Sequence, residues 1–81
     1  MNGLEPELMA LLGACLAGMK ADESSLAKAE AACRDWVQQK RAVGLWPFKE
    51  EPSIRLMPAE LNMLAVVWPA ECFEANIATT I

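Results

Sequence analysis

The sequence predicts an all-α fold, a small helical bundle built on an antiparallel helical hairpin. Three observations carry this. Residues Leu8 to Met19, LMALLGACLAGM, run for twelve positions without a charge. Between Asp22 and Gly44, apolar residues recur at the 3.6-residue period of a helix. Proline followed closely by glutamate opens three stretches, at Pro6, Pro58 and Pro69, and this is a common helix start. No fixed period ties the three openings, so they are a reused signal and not an internal repeat. The alternative architecture is α+β, with a C-terminal β-hairpin placed on the helical hairpin.

The first helix is expected over residues 6–19. Pro6 suits its first position, and Glu5 and Glu7 complement the positive end of the helix dipole. Its densest apolar line is Leu4, Leu8, Leu11, Leu12, Cys15, Leu16 and Met19. The other side holds only small residues, among them Ala10, Gly13, Ala14 and Gly18. A helix apolar all round must be covered on nearly every side. It is too short to cross a bilayer, which takes about 20 apolar residues. Ala10, Gly13, Ala14 and Gly18 are therefore candidate self-association contacts, because small residues let a second backbone approach closely.

The second helix is expected over residues 23–43. Asp22 is a good N-cap, and Glu23 lies in the first turn. Leu26, Ala29, Cys33, Trp36, Val37 and Val43 trace the buried face, so Trp36 is assigned to the core. Lys40 and Arg41 suit the last turn, Gly44 is a stop signal, and Leu45 is placed to close a Schellman-type cap. A short turn between the two helices makes them an antiparallel hairpin.

Residues 44–57 read as an irregular connector, although Ile54 to Met57 has the makings of a short strand. Short helices are expected over 58–67 and 69–76, the first ended by Pro69, which disfavours helix in the residue before it. In the α+β alternative, Leu64–Trp68 instead pairs with Cys72–Ile81.

Eighty-one residues make a single domain, 1–81. A chain of this size buries only roughly 60–65% of its unfolded surface. Yet 54% of its residues are apolar, more than one small core can hide, so a homo-oligomer or a larger protein partner is expected to take up the surplus. The net charge is −4, and from Pro58 onward there is no basic residue. This small acidic protein is not expected to bind nucleic acid directly, since that grip needs clustered Lys and Arg. Three widely spaced cysteines form no disulfide framework, which suggests a reducing, cytoplasmic setting. Leu12-Gly13-Ala14-Cys15 loosely resembles a lipoprotein cleavage box, but no basic residue precedes Lys20, so no secretory signal or membrane association is expected.

There is no histidine. That removes the commonest general acid–base and metal ligand. No metal or cofactor is expected, and the chain is expected not to be an enzyme. Interaction remains. Trp46, Phe48 and Trp68 flank prolines at element ends, and tryptophan is a favoured interface anchor. With Glu50 and Glu51 they form the candidate partner-binding set. The expectation is a non-catalytic interaction module that modulates or inhibits a larger protein. One version is a phage-type or mobile-element inhibitor of a host nucleic-acid machine. The alternative is a self-assembling structural or accessory subunit that uses helix one.

Overall fold

The computed structural model describes residues 3–72 and 78–81. Its described elements are two α-helices, α1 (Leu4–Cys15) and α2 (Glu23–Ala42), followed by strands β1 (Ser53–Leu56), β2 (Leu64–Val67) and β3 (Ala78–Thr80). The strands form one antiparallel sheet in the order β1-β2-β3. The fold is therefore α+β, and the all-α expectation is corrected. The helical hairpin is present, and α2 packs against both α1 and β1.

Helix α2 follows its local signals. The Asp22 side chain accepts from the Ser25 backbone N–H at 3.0 Å, and Ser25 Oγ accepts from the Asp22 N–H at 2.9 Å. This reciprocal capping box satisfies donors that a helix start otherwise leaves open. At the other end Gly44 takes φ +76°, a conformation glycine adopts without strain. The Leu45 N–H then reaches the Lys40 carbonyl at 2.8 Å and the Gly44 N–H reaches Arg41 at 3.1 Å, the Schellman pattern. Ala29, Cys33, Trp36 and Val37 are buried, but Val43, beyond the last helical turn, is 68% exposed.

Helix α1 departs from its expected bounds of 6–19 at both ends. It begins at Leu4 because Gly3, at φ +85°, turns the chain in, and the Glu7 N–H reaches the Gly3 carbonyl. Pro6 lies at the third helical position, where its missing N–H still costs nothing. The helix stops at Cys15 because Gly18, at φ +78°, reverses the chain and the Met19 N–H bonds back to Leu16.

The expected helix over 58–67 is corrected to a single 3-10 turn, Ala59–Leu61, and a strand. Asn62 ends the turn in the left-handed region at φ 48°, which asparagine tolerates better than most residues. Its Oδ1 accepts the Ala21 N–H at 2.9 Å, tying this loop to the turn between the helices. The apolar Leu64-Ala65-Val66-Val67, with two β-branched residues, then enters the middle of the sheet. The expected helix over 69–76 is reduced to a 3-10 turn, Ala70–Cys72, and its remainder lies outside the described residues.

Register fixes the core face of the sheet. Ile54 lies opposite Val66, and Val66 opposite Thr79. Leu56 lies opposite Leu64, whose carbonyl accepts the Ile81 N–H at 2.9 Å. These alternate positions join Leu8 and Leu12 of α1 and the buried stripe of α2 in one hydrophobic core.

Candidate functional site

The connector after α2 is pinned inward. Trp46 is 4% exposed and meets Trp36 edge to face, with ring centroids 5.7 Å apart. Phe48, half-buried, meets Trp46 the same way at 5.0 Å. Trp68 is 0% exposed. Every indole N–H has an acceptor: Trp36 donates to Glu7 Oε2 at 2.6 Å, Trp46 to the Glu50 carbonyl at 3.1 Å, and Trp68 to Thr79 Oγ1 at 3.2 Å. A buried indole with its N–H bonded is a core residue. Trp46 and Trp68 are thus not the exposed anchors expected of them, and Phe48 packs as their satellite. The expected set is not one open surface. Glu51 is paired with Arg41 at 2.6 Å, while the Glu50 backbone N–H donates to Glu71 Oε1 at 2.7 Å.

The small residues of helix one fare differently. Ala10, Gly13, Ala14 and Gly18 are all exposed. A Cβ added at Gly13 would meet nothing within 4 Å, so the fold itself makes no use of a close approach there. Gly18 has a separate duty in its turn, set by its φ of +78°. Leu11, expected on the buried line, is 40% exposed, while Leu8 and Leu12 fill the core.

Beside this face, a groove of about 330 Å³ runs between the helices. It is lined by Glu7 and Leu11 from α1 and by Ala32, Asp35, Trp36 and Gln39 from α2. The antiparallel hairpin brings the start of α1 beside the C-terminal half of α2, which places Glu7 near Trp36 and Lys40. Lys40 Nζ meets Glu7 Oε2 at 2.6 Å and stands 5.8 Å from the centre of the Trp36 ring. The Lys40 ammonium, then the Trp36 N–H, hold the Glu7 carboxyl below the usual carboxylate range. The groove thus combines an aromatic floor, a leucine rim and two carboxyl groups.

Sequence reasoning missed this groove because Glu7 and Asp35 look like ordinary surface charges. The available signal was rotational: Leu8 and Leu12 share one side of α1, and Leu11 lies well round from their midpoint at 100° per residue.

Two other clefts are less suggestive. One, of about 160 Å³, has Cys33 in its wall, but burial and then the nearby Glu51 charge push that thiol up to about 11, so it is no nucleophile at neutral pH. The other, of about 180 Å³, lies by the turn between the helices, and its wall includes Leu16, Met19, Lys20, Asn62 and Met63. Among the described residues, no group of three or more His, Cys, Asp or Glu is placed to hold a metal ion, and no helix is long and apolar enough to cross a membrane.

No protein-family model, curated protein or solved structure gives a significant match to this chain.

Proposed function

We propose that this chain is a non-catalytic binding module that docks on a larger protein through the outer side of its helical hairpin and modulates it. One observation carries this. The solvent side of α1 presents Ala10, Gly13 and Ala14 with the half-exposed Leu11 beside them. A helix face open to water is ordinarily polar. The core needs none of these residues, since α1 supplies Leu8 and Leu12 to it and the tryptophans arrive from elsewhere. This small-residue face, with Glu7 at its edge, is left for something outside the fold. Inhibition of a nucleic-acid machine would be one form of this function, and it rests on the acidic charge alone.

The test uses the purified chain and Ala14→Arg as paired baits against an extract of the source cells. Circular dichroism first establishes that both are folded. A protein retained by the parent and lost by the variant supports the reading. Equal retention by both, or none, refutes it. Self-association through Ala10, Gly13 and Ala14 would use the same face. Light scattering separates the two: a dimer that Ala14→Arg dissolves means a self-assembling subunit, and a monomer means a foreign partner.

A further inference from the structure

We infer that the groove between α1 and α2 receives an arginine side chain from a basic amphipathic helix of the partner protein, an inference that rests on the binding-module reading above. The recognition chemistry is built from the groove wall. Both donors that reach Glu7, the Trp36 indole and the Lys40 ammonium, land on the same oxygen, Oε2, at 2.6 Å each. Among the described residues Oε1 has no partner, and the side chain is 47% exposed. Asp35 is also exposed, with no ion pair or hydrogen bond to a described residue. Across the groove the Lys40 charge offsets one of the two acids, and the other is uncompensated there. The Gln39 amide adds a neutral acceptor. Between them lie apolar Leu11, Ala32 and Trp36.

An ammonium would leave much of that lining unused. It is a compact, strongly hydrated charge. A guanidinium is planar, more weakly hydrated, and carries five donors in a fixed fork. Its edge can bond carboxylates while its face lies on the apolar lining.

The helical form of the occupant follows from the walls. Two antiparallel helices frame the groove, and the exposed Ala10 and Ala14 on its flank let a third helix approach. Helix axes pack 8–10 Å apart according to the side chains between them, and a helix laid into an apolar groove is a recurring recognition mode. A second copy of this chain fits less well, because groove-to-groove pairing would set Glu7 and Asp35 against their own copies. Phosphate backbone is repelled for the same reason.

The three indole N–H groups make the test. The full chain is labelled with ¹⁵N and titrated with a synthetic 16-residue helical peptide carrying leucines on one face and two arginines beside them. A matched peptide has citrulline in place of arginine, which keeps the shape and removes the charge. The expected result is a saturable shift of the Trp36 indole signal, with the Trp46 and Trp68 signals nearly still. Citrulline should weaken binding at least tenfold, and Asp35→Asn, a surface change, should weaken the arginine peptide by about tenfold. An unmoved Trp36 signal, equal affinity for both peptides, or indifference to Asp35→Asn overturns the inference. If the peptides fail while Ala14→Arg still abolishes capture of a protein, the arginine pocket is wrong and the binding module stands. If both fail, both are wrong.

Discussion

Trp68→Ala is the most direct test of the core. The indole is fully buried at the end of β2 and donates to Thr79 Oγ1, which itself lies 3.4 Å from Glu5 Oε1. The side chain thus links the middle strand, the last strand and the start of α1. A buried aromatic removes about 150–250 Å² from water, worth about 4–6 kcal/mol at 25 cal/mol per Å². Measured truncations of buried Phe and Trp cost about 3–5 kcal/mol. A chain of 81 residues has about 4–12 kcal/mol of total stability, so the loss takes a large share of it. At about 4–8 °C per kcal/mol, Tm should fall by about 12–40 °C, and the variant is largely unfolded at the upper end. Thermal circular dichroism measures this, with Leu11→Ala as the reference. Leu11 is 40% exposed, and its truncation should cost only about 1–2 kcal/mol, the share of a leucine's transfer energy that its burial represents. A Trp68→Ala protein melting within a few degrees of the parent would return this indole to the surface and refute the packing described above.

Further outcomes follow from the same geometry. Gly13 is mid-helix with open space around its missing Cβ, so Gly13→Ala should stabilise by up to about 1 kcal/mol and raise Tm. Gly18→Ala should lower it, because φ is +78° there; opposite signs are required. Glu7 is held below its ordinary pKa of 4.5 by Lys40 and Trp36, so the folded state takes up this proton less readily than the unfolded chain. Its contribution is whole above about pH 4.5 and is lost as pH falls through the lowered value; Glu7→Gln should flatten that acid limb in denaturant melts, and an unchanged limb would count against the Glu7 cluster. Cys33, with its pKa raised to about 11 and its side chain buried, should be alkylated at pH 8 far more slowly than the half-buried Cys15, as mass mapping would show. Because the folded state holds the Cys33 proton and the unfolded state loses it near pH 9, that thiol's contribution to stability is present below pH 9 and fades between about 9 and 11. Equal labelling of the two thiols would mean that Cys33 is open to solvent.

What could be read in advance was whatever is encoded over a few residues. The Asp22 start of α2 and its Gly44-Leu45 stop are short-range hydrogen-bond patterns, and the sequence displays both. The C-terminal half depends on long-range pairing. Pro58-Ala59-Glu60 does begin a turn of helix, but Asn62 in the left-handed region closes it at once. The run Leu64–Val67 then chooses strand because β1 and β3 are there to pair with it. An apolar run of that length fits a buried strand or a buried helix equally well. Trp46 and Trp68 depart from their expected exposure for a related reason, whereas Trp36 lies in the core as expected. Aromatics beside prolines in a connector look available, and the acceptors that let Trp46 and Trp68 be buried lie in the irregular connector and on another strand. No periodicity reveals such a partner.

The inward turn of these aromatics bears on what the surface can do. In the sequence, Trp46 and Phe48 on the connector and Trp68 before Pro69 are the candidate partner-binding aromatics, and helix one is the candidate self-association surface. Since Trp46 and Trp68 fill the core and Phe48 packs against it, α1 need contribute only one stripe, and its opposite side, Ala10, Gly13 and Ala14 with Glu7 at the edge, remains open. Other apolar residues are exposed too, such as Val43, Leu45 and Leu61. Exposed apolar residues are normal on any surface and do not by themselves require a partner. Leu11 differs by its setting, beside a run of small residues and above a groove where Glu7 keeps one oxygen unbonded and Asp35 has no described partner. Apolar area gives affinity without choosing a partner, whereas exposed carboxylates beside it favour a partner of opposite charge. That combination on one side of one hairpin is why we propose the docking surface there and not at Trp46, Phe48 and Trp68.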